Sequence, residues 1–133
     1  MENVKVVNVK KVEWILRIAL FGIFLGHGVL ALQLKPSFLS MIEGMSGISG
    51  PLAENLLVTI GVIDIITAIL AIVYPLRLLL MWAITWGFLT GLARPVSGEP
   101  VWDFIERWGN WAIPLALLYL KGLPINFKML FKL

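Results

Sequence analysis

The sequence predicts an all-α integral-membrane protein: a four-helix bundle with both termini cytoplasmic and an interfacial segment at each end of the chain. Three observations lead there. Of 133 residues, 59% are hydrophobic and only 14% charged, against roughly a quarter charged in soluble domains. A soluble domain of this size buries only about 70% of the surface its unfolded chain exposes, too little to hide so apolar a composition, so the remaining solvent is lipid. About four stretches also approach the roughly 20 residues that a hydrocarbon core near 30 Å requires. Because these stretches are apolar on all faces, a soluble helical bundle is the weaker alternative.

The helices are expected as follows, within a single domain covering residues 1–133. The first spans about 15–34; it is uncharged after Arg17 and lacks a small-residue cleavage site, so it reads as a retained helix and not a signal peptide. The second spans about 55–74, is stopped by Pro75 and carries one charge, Asp64. The third, about 78–93, is bracketed by Arg77 and Arg94, which snorkel to the two interfaces. The fourth, about 101–120, holds Asp103, Glu106 and Arg107 in its first turns and is expected to kink at Pro114. The outer loop 35–54 contains Gly44, Gly47, Gly50 and Pro51 beside Phe38, Leu39, Met41 and Ile42, and has room for a short helix serving as a linker or as a lid. Residues 125–133 mix Ile125, Phe127, Met129, Leu130, Phe131 and Leu133 with Lys128 and Lys132, the pattern of an interfacial anchor on anionic lipid. The valine-rich start from Val4 to Val12, with Lys5, Lys10 and Lys11, fits the same role.

Positive loops stay cytoplasmic. Lys5, Lys10, Lys11, Arg17, Arg77, Lys121, Lys128 and Lys132 fall with the termini and the second connection, leaving Lys35, Arg94 and Arg107 for the opposite side. A prokaryotic cytoplasmic membrane is the expected location. The net charge of +3 is too dispersed for nucleic-acid binding. The chain has no Cys and one His, which excludes disulfides, iron–sulfur clusters, Cys-ligated zinc and a bis-imidazole haem, so no metal site is expected. No P-loop, GxSxG or GxGxxG sequence occurs.

Polar residues inside the spans are the informative ones. His27 lies about 10 Å below the outer end of the first helix and Asp64 about 12–14 Å below the outer start of the second, at about 1.5 Å per residue. Trp86 falls near that depth, Thr90 above it, and Glu106 and Asn110 approach it from the outer face, so a polar cluster is expected in the outer half. A carboxylate in hydrocarbon costs roughly 2.5–3.5 kcal/mol on insertion scales, so Asp64 needs a partner or a proton, and His27 is the nearest candidate. The pair is either a proton-handling unit or an interhelical hydrogen bond that fixes register. Arg94, beside Asp103, Glu106 and Arg107, either binds an anionic group or ties the third helix to the fourth. Gly22/Gly26 and Gly87/Gly91 form small-residue faces for packing within the bundle or against a partner. Of the tryptophans, Trp14, Trp102 and Trp108 suit interface belts, whereas Trp86 is deep enough to line the polar layer.

Arg17 with Gly22, His27-Gly28 late in the first helix, a long outer loop and Gly61-x-x-Asp64 in the second resemble the DoxX-like family of small four-helix membrane proteins. The resemblance covers mainly the first two helices. It departs from the family where Val29, Leu30, Ala31 and Leu32 follow the His-Gly pair in place of a nearby Lys. It implies association with quinone-linked oxidoreductase systems, and no catalytic residue. Two functions are therefore expected. One is a small membrane subunit or accessory protein of a larger, redox-linked complex, with no catalysis of its own, contacting the bilayer and other subunits or a second copy through its glycine faces. The other is a quinone-linked oxidoreductase component or small-molecule carrier, with a quinone or lipid ligand, His27 and Asp64 as the proton-handling pair, and Trp86, Thr90, Arg94, Glu106 and Asn110 as ligand-binding candidates.

Overall fold

The computed structural model describes residues 6–133; Val4 and Lys5, assigned above to the N-terminal interfacial segment, lie outside the described residues. Every regular element among the described residues is helical: α1 Val9–Leu32, α2 Pro36–Ser46, α3 Gly50–Val73, α4 Arg77–Val96, α5 Val101–Ile105, α6 Gly109–Lys121 and a 3-10 segment, Phe127–Phe131. Helices α1, α3 and α4 are long and apolar enough to cross a membrane.

Local chemistry sets the ends. Asn8 starts α1, its side chain accepting from the Lys11 N–H at 3.2 Å. Proline stands in the first turn of α2 and of α3, where its missing N–H costs nothing. Gly47, with φ 72°, closes α2 in the left-handed conformation that a side chain disfavours.

Several bounds differ from those expected. Helix α3 begins at Gly50, since Pro51 nucleates it before the apolar run starts. Helix α4 takes in both Arg77 and Arg94, because their buried heads find partners within the fold. The outer loop is mostly the helix α2. The single fourth helix expected over 101–120 is two pieces: between them the backbone switches to tighter bonds, Arg107 N–H to Phe104 O, Trp108 N–H to Ile105 O and Asn110 N–H to Arg107 O.

Antiparallel α1 and α3 pack along their length, α6 packs on α4 and α1, and a core forms from Leu20 and Phe24 of α1, Ala68 and Ala71 of α3, Leu80 and Ala83 of α4, and Leu117 and Leu118 of α6. Alanines on α3 and α4 keep this center thin. The outer faces remain apolar; Ile66 and Ile69 are each 51% exposed, as lipid-facing positions should be.

Two arginines close the end of the molecule where α3 and α6 finish. Arg17 donates to Ala71 O at 3.2 Å and to Ile72 O. Arg77, buried, donates to Gly122 O at 2.8 Å and to Lys121 O. These are carbonyls a helix end leaves without intrahelical partners, at the negative pole of its dipole. Arg17→Ala is expected to lower unfolding stability by about 2 kcal/mol, the scale of a charged hydrogen bond in a partly buried cap. Thermal unfolding in detergent reads this, and an unchanged midpoint would mean that water replaces the cap.

Candidate functional site

The site is positioned by two close helix crossings, each made at a glycine. Where α1 meets α3, a Cβ on Gly28 would lie 3.0 Å from Gly61 O, and one on Gly61 would lie 3.0 Å from Gly28 O. This backbone-on-backbone contact brings His27, one residue before Gly28, to the level of Asp64, three residues after Gly61. Where α4 meets α6, a Cβ on Gly87 would lie 2.8 Å from the Asn110 carbonyl carbon. Pro114 explains why that carbonyl is available: lacking an N–H, it leaves the oxygen four residues earlier without its helical bond. Trp86, next to Gly87, is thereby fixed against α3. Gly91 faces the Phe104 ring at 3.2 Å, so the Gly87/Gly91 face is used within the chain. Among the described residues, Gly22 and Gly26 have nothing within 4 Å of an added Cβ, and their face of α1 is open.

Between these crossings lies a cavity of about 240 Å³. His27 and Ala31 of α1, Leu57, Ile60 and Asp64 of α3, and Trp86, Leu89, Thr90, Ala93 and Arg94 of α4 form its walls; Phe38, Met41, Ile42 and Met45 of α2 cover it, and Arg107 reaches in from the turn after α5. Of the residues singled out in the sequence, His27, Asp64, Trp86, Thr90 and Arg94 thus share one cavity. Glu106 and Asn110 do not line it. Glu106 is exposed and pairs with Arg107. Asn110 is buried at the Gly87 crossing, with its Nδ2 unpartnered.

The bonding within the cavity differs from the expected His27–Asp64 pair. Asp64, 3% exposed, accepts at Oδ1 from Trp86 Nε1 at 3.0 Å, and no hydrogen bond joins it to His27. An indole reaches across from α4 more directly than an imidazole on α1, and its N–H has no other acceptor. Trp82 stacks on Trp86 with ring centers 5.3 Å apart and donates to Thr67 Oγ1 at 3.3 Å, which fixes the indole plane. Asp64 Oδ2 and the His27 ring nitrogens have no partner among the described residues and, unlike Asn110 Nδ2, are not sealed from the cavity. Thr90 spends its hydroxyl proton on Trp86 O at 2.9 Å, so toward the cavity it can only accept.

At the mouth of the cavity, Arg94 Nη1 bonds Glu99 Oε2 at 2.9 Å. The tie therefore runs to the connection after its own helix and not to α6. Its guanidinium lies 6.0 Å from the Phe38 ring, which also has Lys35 Nζ at 5.2 Å and the His27 ring edge-on at 6.2 Å. Phe38 is thus the contact through which α2 is held over His27. Phe38, Met41 and Ile42 were expected on a short helix, as linker or lid, but neither they nor Met45 and Arg107 were among the expected ligand-binding residues. The signal for the α2 side chains was present: Phe38, Met41, Ile42 and Met45 recur at helical spacing.

The arrangement is an apolar chamber with a carboxyl and an imidazole at its inner wall and two guanidinium groups at its mouth. Among the described residues, no group of three or more His, Cys, Asp or Glu side chains could hold a metal ion. Comparison with family models, with curated proteins and with solved structures gives no match for this chain.

Proposed function

We propose that the chain is a four-crossing membrane protein that binds a small quinone-class molecule in this cavity, as a component of a quinone-linked redox system of a prokaryotic cytoplasmic membrane. The observation that carries the reading is a carboxyl oxygen and an imidazole opening into an otherwise apolar chamber. Ligand pockets of that kind, mostly apolar with a few convergent polar groups, are the default binding sites of helical bundles. A quinone offers carbonyl acceptors when oxidised and hydroxyl donors when reduced. Arg94, Arg107 and a protonated His27 nitrogen supply donors for the first form; Asp64 Oδ2 and Thr90 Oγ1 supply acceptors for the second. His27 and Asp64 hold exchangeable protons within the same walls. The cavity, at about 240 Å³, is below the roughly 300 Å³ where drug-sized pockets begin, so it fits one or two rings, with any longer tail leaving between helices into lipid.

The fourth crossing is α5 with α6, broken at 106–108. Both termini are on the cytoplasmic side. In support, the end carrying them has, among the described residues, seven cationic side chains and one carboxylate side chain, Glu13, against three cations and, besides Asp64 within the span, five carboxylates at the cavity end. Membership of the DoxX-like family belongs to the same proposal, on His27-Gly28 and Gly61-x-x-Asp64.

A second reading, a subunit of a larger membrane complex, is favored by the open Gly22/Gly26 face of α1, since such faces let a neighbouring helix approach closely. Purification in a gentle detergent separates the two. Solvent extraction of the purified chain is expected to yield a quinone-class molecule near one per chain. A stoichiometric protein partner with no extractable ring compound supports the subunit reading instead.

A further inference from the structure

We propose that the end of the molecule opposite the cavity is a binding surface for the anionic headgroups of phospholipids, built from the start of α1 and the C-terminal segment together. It is independent of the cavity and of the quinone reading.

The cations at this end divide into two kinds. Arg17, Arg77 and Lys121 are used within the fold: the arginines cap helix ends, and Lys121 Nζ lies 3.5 Å from Glu13. Glu13, the only described carboxylate at this end, is also 3.5 Å from Arg17. Lys10, Lys11, Lys128 and Lys132 are all exposed, and none forms an ion pair among the described residues. Among the described side chains their charge has no counterion.

Each pair of lysines is set among apolar side chains suited to the acyl boundary. Lys10 and Lys11 line a recess with Asn8, Trp14 and Ile15; Trp14 is 46% exposed and Ile15 64%. An indole at headgroup level beside two ammonium groups is the arrangement of an interfacial anchor. Lys128 and Lys132 alternate with Phe127 and Phe131, which are 74% and 51% exposed. The C-terminal segment does not hang free. Asn126 caps its turn by accepting from the Met129 N–H at 3.0 Å, and buried Arg77 donates to Lys132 O at 3.1 Å. The Lys121–Glu13 contact joins the end of α6 to α1, so both lysine pairs belong to one end of the fold. An anionic leaflet supplies the missing counterions and receives the aromatic rings, which a soluble anion would not do.

The test uses the full chain reconstituted in equimolar phosphatidylglycerol and phosphatidylcholine, then extracted in gentle detergent, with retained lipid quantified by mass. Phosphatidylglycerol is expected to be enriched, by about fivefold for each lysine at the surface, and the enrichment is expected to fall as salt rises. Lys10→Gln/Lys11→Gln/Lys128→Gln/Lys132→Gln is expected to lose it, and the matching four-arginine variant to keep it. Equal retention of the two lipids, or enrichment that survives in the glutamine variant, overturns the proposal. Sodium phosphate is expected to release no more lipid than sodium chloride at the same ionic strength; selective release by phosphate would reassign the site to a free anion.

Discussion

Replacing Asp64 by Leu is expected to weaken binding of the reduced quinone by roughly tenfold to a hundredfold while leaving the protein as stable as before or more so. The two effects have opposite signs because the carboxyl is costly where it stands. An acidic group near the middle of a membrane helix is unfavorable by roughly 2.5–3.5 kcal/mol on insertion scales. Its one hydrogen bond among the described residues, from Trp86 Nε1, returns about 1.5–3 kcal/mol at most. Losing the carboxyl leaves the indole N–H without an acceptor, a cost of about 1–3 kcal/mol, which the relieved insertion penalty offsets. Binding has no such compensation: a site that loses its acceptor for a buried hydroxyl forfeits about 1–3 kcal/mol, roughly tenfold to a hundredfold in affinity. Asp64→Asn separates the two contributions further. Its amide oxygen keeps the Trp86 bond, so the fold is retained, while its uncharged amide weakens binding by about tenfold. Titration and thermal unfolding of both variants check this. A loss of stability in Asp64→Leu of several kcal/mol, with binding unchanged in Asp64→Asn, would make the carboxyl a structural pin.

Gly87→Val is expected to be the most damaging single substitution, reducing stability by about 3 kcal/mol or more. Overpacking a helix contact ordinarily costs about 1–3 kcal/mol because side chains can move aside. Here the obstacle is the Asn110 backbone, with the carbonyl carbon 2.8 Å from the position of the first added carbon. Relief requires α6 to move from α4, which also disturbs the packing of Leu117 against the core. Gly26→Val adds the same branched side chain to a membrane helix but meets nothing within 4 Å, so its unfolding midpoint is expected to stay near that of the parent chain. Equal destabilisation by both would show that helix propensity, and not the crossing, is responsible.

The helical character of the chain and its three long apolar helices were legible because hydropathy reports burial in lipid directly, whatever the neighbors. The common level of His27 and Asp64 was legible for a related reason: helix rise is constant, so depth can be counted. Partner choice was not. Depth places His27, Asp64 and Trp86 in one layer but says nothing of rotation about each helix axis, and rotation decides that the indole, not the imidazole, reaches Asp64. The same gap hid the difference between the two glycine faces. Gly22/Gly26 and Gly87/Gly91 have identical spacing, and what distinguishes the packed one from the open one lies elsewhere in the chain, in the carbonyl freed by Pro114 and in the Phe104 ring. The cover provided by α2 was half legible. Its apolar spacing was present, but a short amphipathic helix lies equally well on a lipid surface, and Phe38 between Lys35, His27 and Arg94 is a contact across three elements.

The most direct test of ligand binding in the cavity is a titration of the purified full chain in detergent, under reductant, with a naphthohydroquinone bearing a short alkyl tail, comparing the parent with Asp64→Leu. The expected result is saturable binding of one molecule per chain, weakened roughly tenfold to a hundredfold in the variant while its unfolding midpoint holds or rises. Non-saturating uptake, equal in parent and variant and proportional to detergent, would contradict it.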